Sequence, residues 1–173
     1  MPKFDKLVQN AAGRIVPQVI NDKEAVAFQG VGKYRPTGRK YAPPITTCAD
    51  YPDDGNKIVP GLKEALVRSG IRDGMAISTH HHFRNGDLVA QQVFDAAAEL
   101  GIKGLVWVPS ASFECHAPLI KYLEDGTIHH IEGSMNGPLG RVCSEGMMQG
   151  LGVLRSHGGR YQAVQDGEVQ IDI

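Results

Sequence analysis

The rhythm of apolar and polar positions changes near residue 56. Before it, Pro17, Pro36, Pro43, Pro44 and Pro52 and scattered glycines interrupt any sustained periodicity, which predicts an extended leader over 1–55. From Lys57 the pattern turns regular, with Leu62, Ala65 and Leu66 on one helical face before Ser69 and Gly70 stop it. Residues 75–79 read as a short apolar strand. Residues 87–100 read as a helix carrying Val89, Val93, Ala96, Ala97 and Leu100, ended by Gly101. The unit then repeats. The apolar run 105–108 suits a strand buried on both faces and precedes a helix that Pro118 opens and Gly126 ends. The more polar strand 128–131 precedes a helix that Pro138 opens, with Leu139, Val142, Cys143, Gly146 and Met147 at helical spacing. A fourth strand is predicted at 153–156, and the chain finishes on a strand at 169–173.

Strands alternating with helices of about ten residues predict an α/β domain over 56–173, a mainly parallel sheet with right-handed crossovers and helices on its faces. A chain of 173 residues is long enough for one ordinary core. Eighteen basic against nineteen acidic residues leave a formal net charge of -1, too little to recruit nucleic acid or an anionic membrane. Any anionic ligand is therefore caught by local groups. Cys48, Cys115 and Cys143 are odd in number and far apart, which speaks against a disulfide framework and for a reducing compartment, the cytoplasm. The sequence carries neither a signal-peptide pattern near Met1 nor an apolar run of the roughly 20 residues needed to span a bilayer. Within the leader, Lys33, Arg35, Arg39 and Lys40 are interleaved with Tyr34 and Tyr41, a patch suited to a solvated arm or to a ligand.

In open α/β sheets ligands bind beyond the carboxyl ends of the strands. All four loops there are polar: residues 80–87 (His80-His81-His82-Phe83-Arg84-Asn85-Gly86-Asp87), 110–116 (Ser110 to His116), 134–137 (Ser134-Met135-Asn136-Gly137) and 156–160 (Ser156-His157-Gly158-Gly159-Arg160). In the first, Asn85 and Gly86 are expected to offer unpaired amides at a helix start beside Arg84, an anion site. Asn136 and Gly137 ahead of Pro138 suggest a second such start, and Gly158-Gly159-Arg160 a third donor-rich turn.

The histidine run also permits a metal reading, with His80, His82, Cys115 and His116 as ligands, although consecutive residues leaving a strand point to opposite sides. A nucleophile reading would take Ser112 or Cys115 with His116; neighbouring residues make a poor triad, and no Gly-x-Ser-x-Gly elbow is present. Cys48 and Cys143 read as ordinary thiols, and His129 and His130 as structural residues within a strand.

The segments Gly70-Ile71-Arg72-Asp73-Gly74, Ser78 through Asp87, Cys115-His116-Ala117-Pro118, Gly137-Pro138-Leu139 and Ser156 through Arg160, together with Gly13-Arg14 and Ala42-Pro43-Pro44, resemble the α subunit of bacterial citrate lyase. That resemblance implies a CoA-transferase-like α/β fold with two such halves, of which this chain would be the first, ending within a strand at Asp172-Ile173. It implies a transferase in which citrate displaces acetate from an acetyl thioester to give a citryl thioester, with a related citrate CoA-transferase activity. The thioester would ride on CoA or on the phosphoribosyl-dephospho-CoA arm of the acyl carrier (gamma) subunit. The beta subunit would cleave the product in an oligomeric complex, and no metal or cofactor would be bound by this chain. Neither Glu114 nor Glu145 is expected as a nucleophile.

On this reading Arg84, with the Asn85 and Gly86 amides, orients a citrate carboxylate, and His81, His82, Ser112 or Asn136 polarises a carbonyl. Gly137, Gly158, Gly159 and Arg160 complete the substrate-binding set. Two other readings stay open: a metal-dependent hydrolase using His80 to His82, and a non-catalytic fragment that docks the beta and carrier subunits.

Overall fold

The computed structural model of the chain describes residues 4, 6–33, 56 and 58–173. The leader beyond Lys33, with most of the basic and aromatic patch, Ala42-Pro43-Pro44 and Cys48, lies outside the described residues. The chain divides into two compact units, Met1–Arg39 and Lys40–Ile173.

The first unit holds two antiparallel hairpins. Strands β1 (Leu7–Gln9) and β2 (Ile15–Pro17) pair Val8 with Val16. The connecting loop is tied by Asn10, whose Oδ1 accepts from the Ala12 and Arg14 amides at 2.9 and 3.0 Å. Strands β3 (Val19–Ile20) and β4 (Lys23–Glu24) are joined through Asn21 and Asp22, both with positive φ (48° and 62°). Two left-handed residues match the twist of a two-residue hairpin, and Asn and Asp tolerate that conformation best after glycine.

In the second unit a four-stranded parallel sheet runs in chain order: β5 (Ala76–Thr79), β6 (Leu105–Pro109), β7 (Ile128–Gly133) and β8 (Val153–Leu154). Helix α1 (Leu62–Arg68) precedes β5, α2 (Val89–Glu99) follows it, α3 (Ile120–Glu124) follows β6, α4 (Gly137–Ser144) follows β7 and α5 (His157–Gln165) follows β8. Alternation along β5 and β6 sends Ile77, Leu105 and Trp107 into one core and Ala76, Val106 and Val108 into another. The first core packs these against Phe94, Leu119, Leu123 and Leu139 of the helical layer; the second lies against Ala163 and Val164 of α5. Trp107 is fully buried, and its indole N–H donates to Thr79 Oγ1 at 3.0 Å, so its burial leaves no donor unpaired.

Several details differ from the sequence pattern. The helix after β6 is not opened by Pro118: a 3-10 segment, Glu114–Leu119, contains that proline, and α-helix begins only at Ile120, past the residue that lacks an N–H. Helix α4 stops at Ser144, so Met148 rather than Met147 enters the core; Met147 is exposed. Residues 156–160 are not a loop but the cap and first turn of α5. The last residues form no regular strand, yet Ile173 N–H donates to Ala76 O and Ser78 N–H to Ile173 O, a parallel pairing along the outer edge of β5.

Candidate functional site

The carboxyl edge of the sheet gathers the loops after β5, β6 and β7 and the corner between β8 and α5. Ser110 follows β6 directly and is buried, and its hydroxyl receives the His81 backbone N–H at 3.0 Å while lying 2.5 Å from His81 Nδ1. The His81 ring stacks on His80 (5.1 Å between centroids), leans on Phe113 (5.5 Å) and meets His157 edge-on at 5.6 Å. His82 packs on His80 at 4.6 Å. Burial, then the charges of His80, His157, Arg84 and His82, hold the His81 imidazole below the ordinary histidine value, so its neutral form is favoured.

Arg84 is exposed and adopts φ +50°, a left-handed conformation uncommon for a side-chain-bearing residue. Its neighbours are not the open helix start that the sequence suggests. Gly86 N–H donates to Phe83 O at 2.9 Å and Asp87 N–H to Arg84 O at 3.2 Å, closing a 3-10 turn over Arg84–Gly86. Helix α2 begins at Val89, and the buried Asp87 carboxylate already accepts that residue's N–H at 2.9 Å. Asn85 spends its side chain on the loop after β6, Oδ1 accepting from the Cys115 amide at 2.9 Å. The guanidinium of Arg84, not the Gly86 amide, is therefore the free anion-binding group here.

Ser112 is fully buried and stitches two loops together: its hydroxyl donates to Asn136 O at 3.2 Å and accepts from Asn136 N at 2.9 Å. Asn136 caps α4 without a side-chain bond to the helix. Gly137 follows with φ +58°, and a Cβ there would stand 2.9 Å from Glu114 Oε1, so glycine suits both the backbone and the space. The end of β7 needs a glycine for a different reason, since a Cβ on Gly133 would lie 2.3 Å from the Pro109 carbonyl oxygen.

His116 is turned inward. Its Nδ1 accepts from Phe113 N at 2.9 Å, which places the hydrogen on Nε2, 3.2 Å from Asp87 Oδ2. Cys115 Sγ lies 3.7 Å from the same Nδ1 and 3.6 Å from Arg84 O. Because the Nδ1 lone pair faces the Phe113 amide, the thiol has no committed base. His80, His82, Cys115 and His116 do not come together as a ligand set, and among the described residues no three His, Cys, Asp or Glu side chains are placed to hold a metal ion.

At the fourth strand, Ser156 caps α5 by accepting from Gly159 N at 3.0 Å, leaving Gly158 exposed in the first turn. Arg160 does not face the rim: its guanidinium bonds Ser78 Oγ and the Val108 carbonyl, and burial lowers its pKa. The structure thus brings together His81, His82, Arg84 and Asn85, and separately Ser112, Asn136 and Gly137. It adds His157, Ser110 and Phe113, which the substrate-site reading omits, and it pairs His116, considered above as a metal ligand or a base, with the buried Asp87. Ser110 and Asp87 could have been sought as small polar residues where a strand ends and a helix starts.

A hollow of about 610 Å³ opens at the opposite edge of the sheet. Its Lys103 is bound to Asp125, Thr127 and, through its amide, Asp73, so the polar groups there satisfy one another. No helix among the described residues is long and apolar enough to cross a membrane.

Comparison with known proteins covers most of the second unit. Residues 55–173 match the family model of the citrate lyase alpha subunit. The chain is 42% identical over 118 residues to the citrate lyase alpha chain of Escherichia coli (strain K12), covering 68% of this chain and 23% of that protein. It is 37% identical to the citrate lyase alpha chain of Haemophilus influenzae, covering 24% of it. The chain thus spans about a quarter of the length of these relatives. A crystal structure from Streptococcus mutans, described as an alpha subunit of citrate lyase in complex with citrate, superposes with a TM-score of 0.69 at 32% identity, over 84% of this chain and 28% of that one. With the family matched over most of its length and the parallel α/β architecture shared with that structure, the chain belongs to the citrate lyase alpha-subunit family.

Proposed function

We propose that this chain forms one wall of the site at which citrate displaces acetate from an acetyl thioester, carried on CoA or on the phosphoribosyl-dephospho-CoA arm of an acyl carrier protein. The observation that carries the reading is the cluster at the carboxyl edge of the sheet: one uncommitted guanidinium, Arg84, beside the imidazoles of His80, His81, His82 and His157. A polycarboxylate is the ligand chemistry such a cluster favours, through charge-assisted hydrogen bonds. The citrate held by the similar Streptococcus mutans protein supports it.

The reaction balances in two displacements. A citrate carboxylate oxygen attacks the thioester carbonyl and expels the thiolate, leaving a mixed anhydride; the thiolate then attacks the citryl carbonyl and acetate leaves. This chain's part is to fix the carboxylate and to offer donors to the developing oxyanion. Arg84 orients the carboxylate. His81 and His82, on the same loop as Arg84, are the candidate donors, while Ser112, bound at both ends to the Asn136 backbone, shapes the neighbouring loop. The beta and carrier subunits of a citrate lyase complex are the partners this role requires, and the cytoplasm its setting.

The test is an acetyl-thioester plus citrate transfer assay read as citryl thioester, run on this chain beside a full-length relative, with citrate binding followed by calorimetry. Binding with turnover supports the full reading. Binding without turnover restricts the chain to holding citrate, and a chain that binds neither citrate nor thioester removes the proposal.

A further inference from the structure

Glu132 is a carboxylate on β7 at 2% exposure. Both oxygens are engaged: Oε1 lies 3.2 Å from His130 Nε2, and Oε2 lies 3.3 and 3.4 Å from Nη2 and Nε of Arg155. A carboxylate only accepts, so His130 carries its hydrogen on Nε2, and in the neutral ring its Nδ1 accepts from His129 Nδ1 at 2.8 Å. On its far side Arg155 reaches Glu168 at 3.5 Å.

For stability alone, well-packed apolar residues would serve as well as a buried ion pair. What this pair adds is direction. Strand β8 has only two residues, paired Glu132 with Val153 and Gly133 with Leu154, and one further bond, Arg155 N to Gly133 O at 3.1 Å, before the chain turns. So short a ladder fixes the turn weakly. Arg155 is the last residue before the Ser156 cap of α5, and the next residue is His157, whose ring meets His81.

We propose that Glu132 is a positioning residue: by clamping Arg155 it fixes the corner between β8 and α5 and so holds His157 against His81 at the rim of the site. Arg160, in the first turn of α5, is bonded to Ser78 and Val108, so losing the clamp loosens the corner that precedes it without releasing the helix. The consequence for citrate rests on the proposed function; the placement of His157 does not.

The test compares this chain with Glu132→Gln, Arg155→Met and Arg155→Lys, using NMR contacts between the His81 and His157 rings and calorimetric titration with citrate. The ring contact is expected in the wild type and in Arg155→Lys, and lost in the other two, with circular dichroism unchanged. Citrate affinity is expected to fall about tenfold where the contact is lost, the effect of losing one hydrogen bond. A contact absent from the wild type, or surviving in folded Glu132→Gln or Arg155→Met, overturns the inference. A lost contact with unchanged affinity supports the clamp and removes only its consequence for citrate. If Glu132→Gln does not fold, Arg155→Met decides. If the wild type binds no citrate, the functional reading fails while the ring contacts still decide this one.

Discussion

His116 and Asp87, 29 residues apart in sequence, form a buried pair with Nε2 3.2 Å from Oδ2 and side chains 1% and 4% exposed. The imidazole is filled on both sides, by the Phe113 N–H at Nδ1 and the carboxylate at Nε2. The second carboxylate oxygen takes the Val89 N–H at the start of α2. One ring thereby joins the loop after β6 to the helix after β5, and the bond from Cys115 N to Asn85 runs beside it.

Replacing that ring removes two hydrogen bonds at once. His116→Leu leaves the Phe113 N–H and one Asp87 oxygen without partners, and a loss of about 2–4 kcal/mol is expected in urea unfolding. A loss below about 1 kcal/mol would mean that the two loops do not depend on the pair.

Ser112 provides a second link, between the loops after β6 and β7. Ser112→Ala removes a fully buried hydroxyl and both of its bonds to the part-buried Asn136 backbone, with an expected cost of about 1–2 kcal/mol. Urea unfolding measures it. A variant as stable as the wild type but unable to support transfer would instead return Ser112 to the chemistry.

How far the sequence discloses this arrangement depends on the range of the interactions. Strands β5 and β6 are legible because short apolar runs are what a sheet covered on both faces requires, β7, more polar, from its place between two helical patterns, and α2 and α4 because Ala96, Ala97, Leu139 and Val142 fall at helical spacing. The start of α5 is obscured by Gly158 and Gly159, poor helix formers, although Ser156 is a good cap. The hairpin at Asn21-Asp22 carries a turn signal that the proline-rich surroundings hide. Asn85 and Gly86 resemble a helix start, but the Asp87 side chain moves the start to Val89. The His116–Asp87 and Ser112–Asn136 links depend on which strands lie side by side, information that spacing along the chain does not hold.

The two described cysteines should differ in reactivity. Burial pushes the Cys143 thiol up to about 11, and its sulfur lies 3.5 Å from Met148 Sδ in the core. At neutral pH its thiolate fraction is on the order of one in ten thousand. Cys115 is partly exposed at the rim. Iodoacetamide labelling followed by peptide mass spectrometry should modify Cys115 well before Cys143, and equal rates would contradict the packing of α4.

His81 should make both stability and binding depend on pH. Its folded-state value lies below the ordinary 6.5, so between the two the unfolded chain binds more protons. The stabilisation it contributes is complete above 6.5 and is lost as pH falls toward the folded value. Unfolding free energy should therefore drop more steeply on acidification in the wild type than in His81→Gln. A bound polycarboxylate favours the imidazolium, so citrate affinity should gain more from the same acidification in the wild type than in the variant. Comparing the two cancels the protonation of citrate itself. Parallel profiles would exclude His81 from the binding site.

Arg84 is the sharpest test of the rim. A side chain at φ +50° stores strain that glycine or asparagine would relieve, so the backbone gives no reason for arginine there, and the exposed guanidinium supplies one. Removing a charge-assisted contact to a carboxylate costs about 1.5–3 kcal/mol, which is about ten- to a hundredfold in affinity. Arg84→Ala should therefore weaken citrate by that factor while leaving the thioester requirement within about twofold, because no role in the thioester depends on this guanidinium. Arg84→Gly separates charge from strain: it should match Arg84→Ala in citrate binding yet be more stable to urea. Equal loss toward citrate and thioester would show that Arg84 shapes the whole rim instead of gripping one carboxylate.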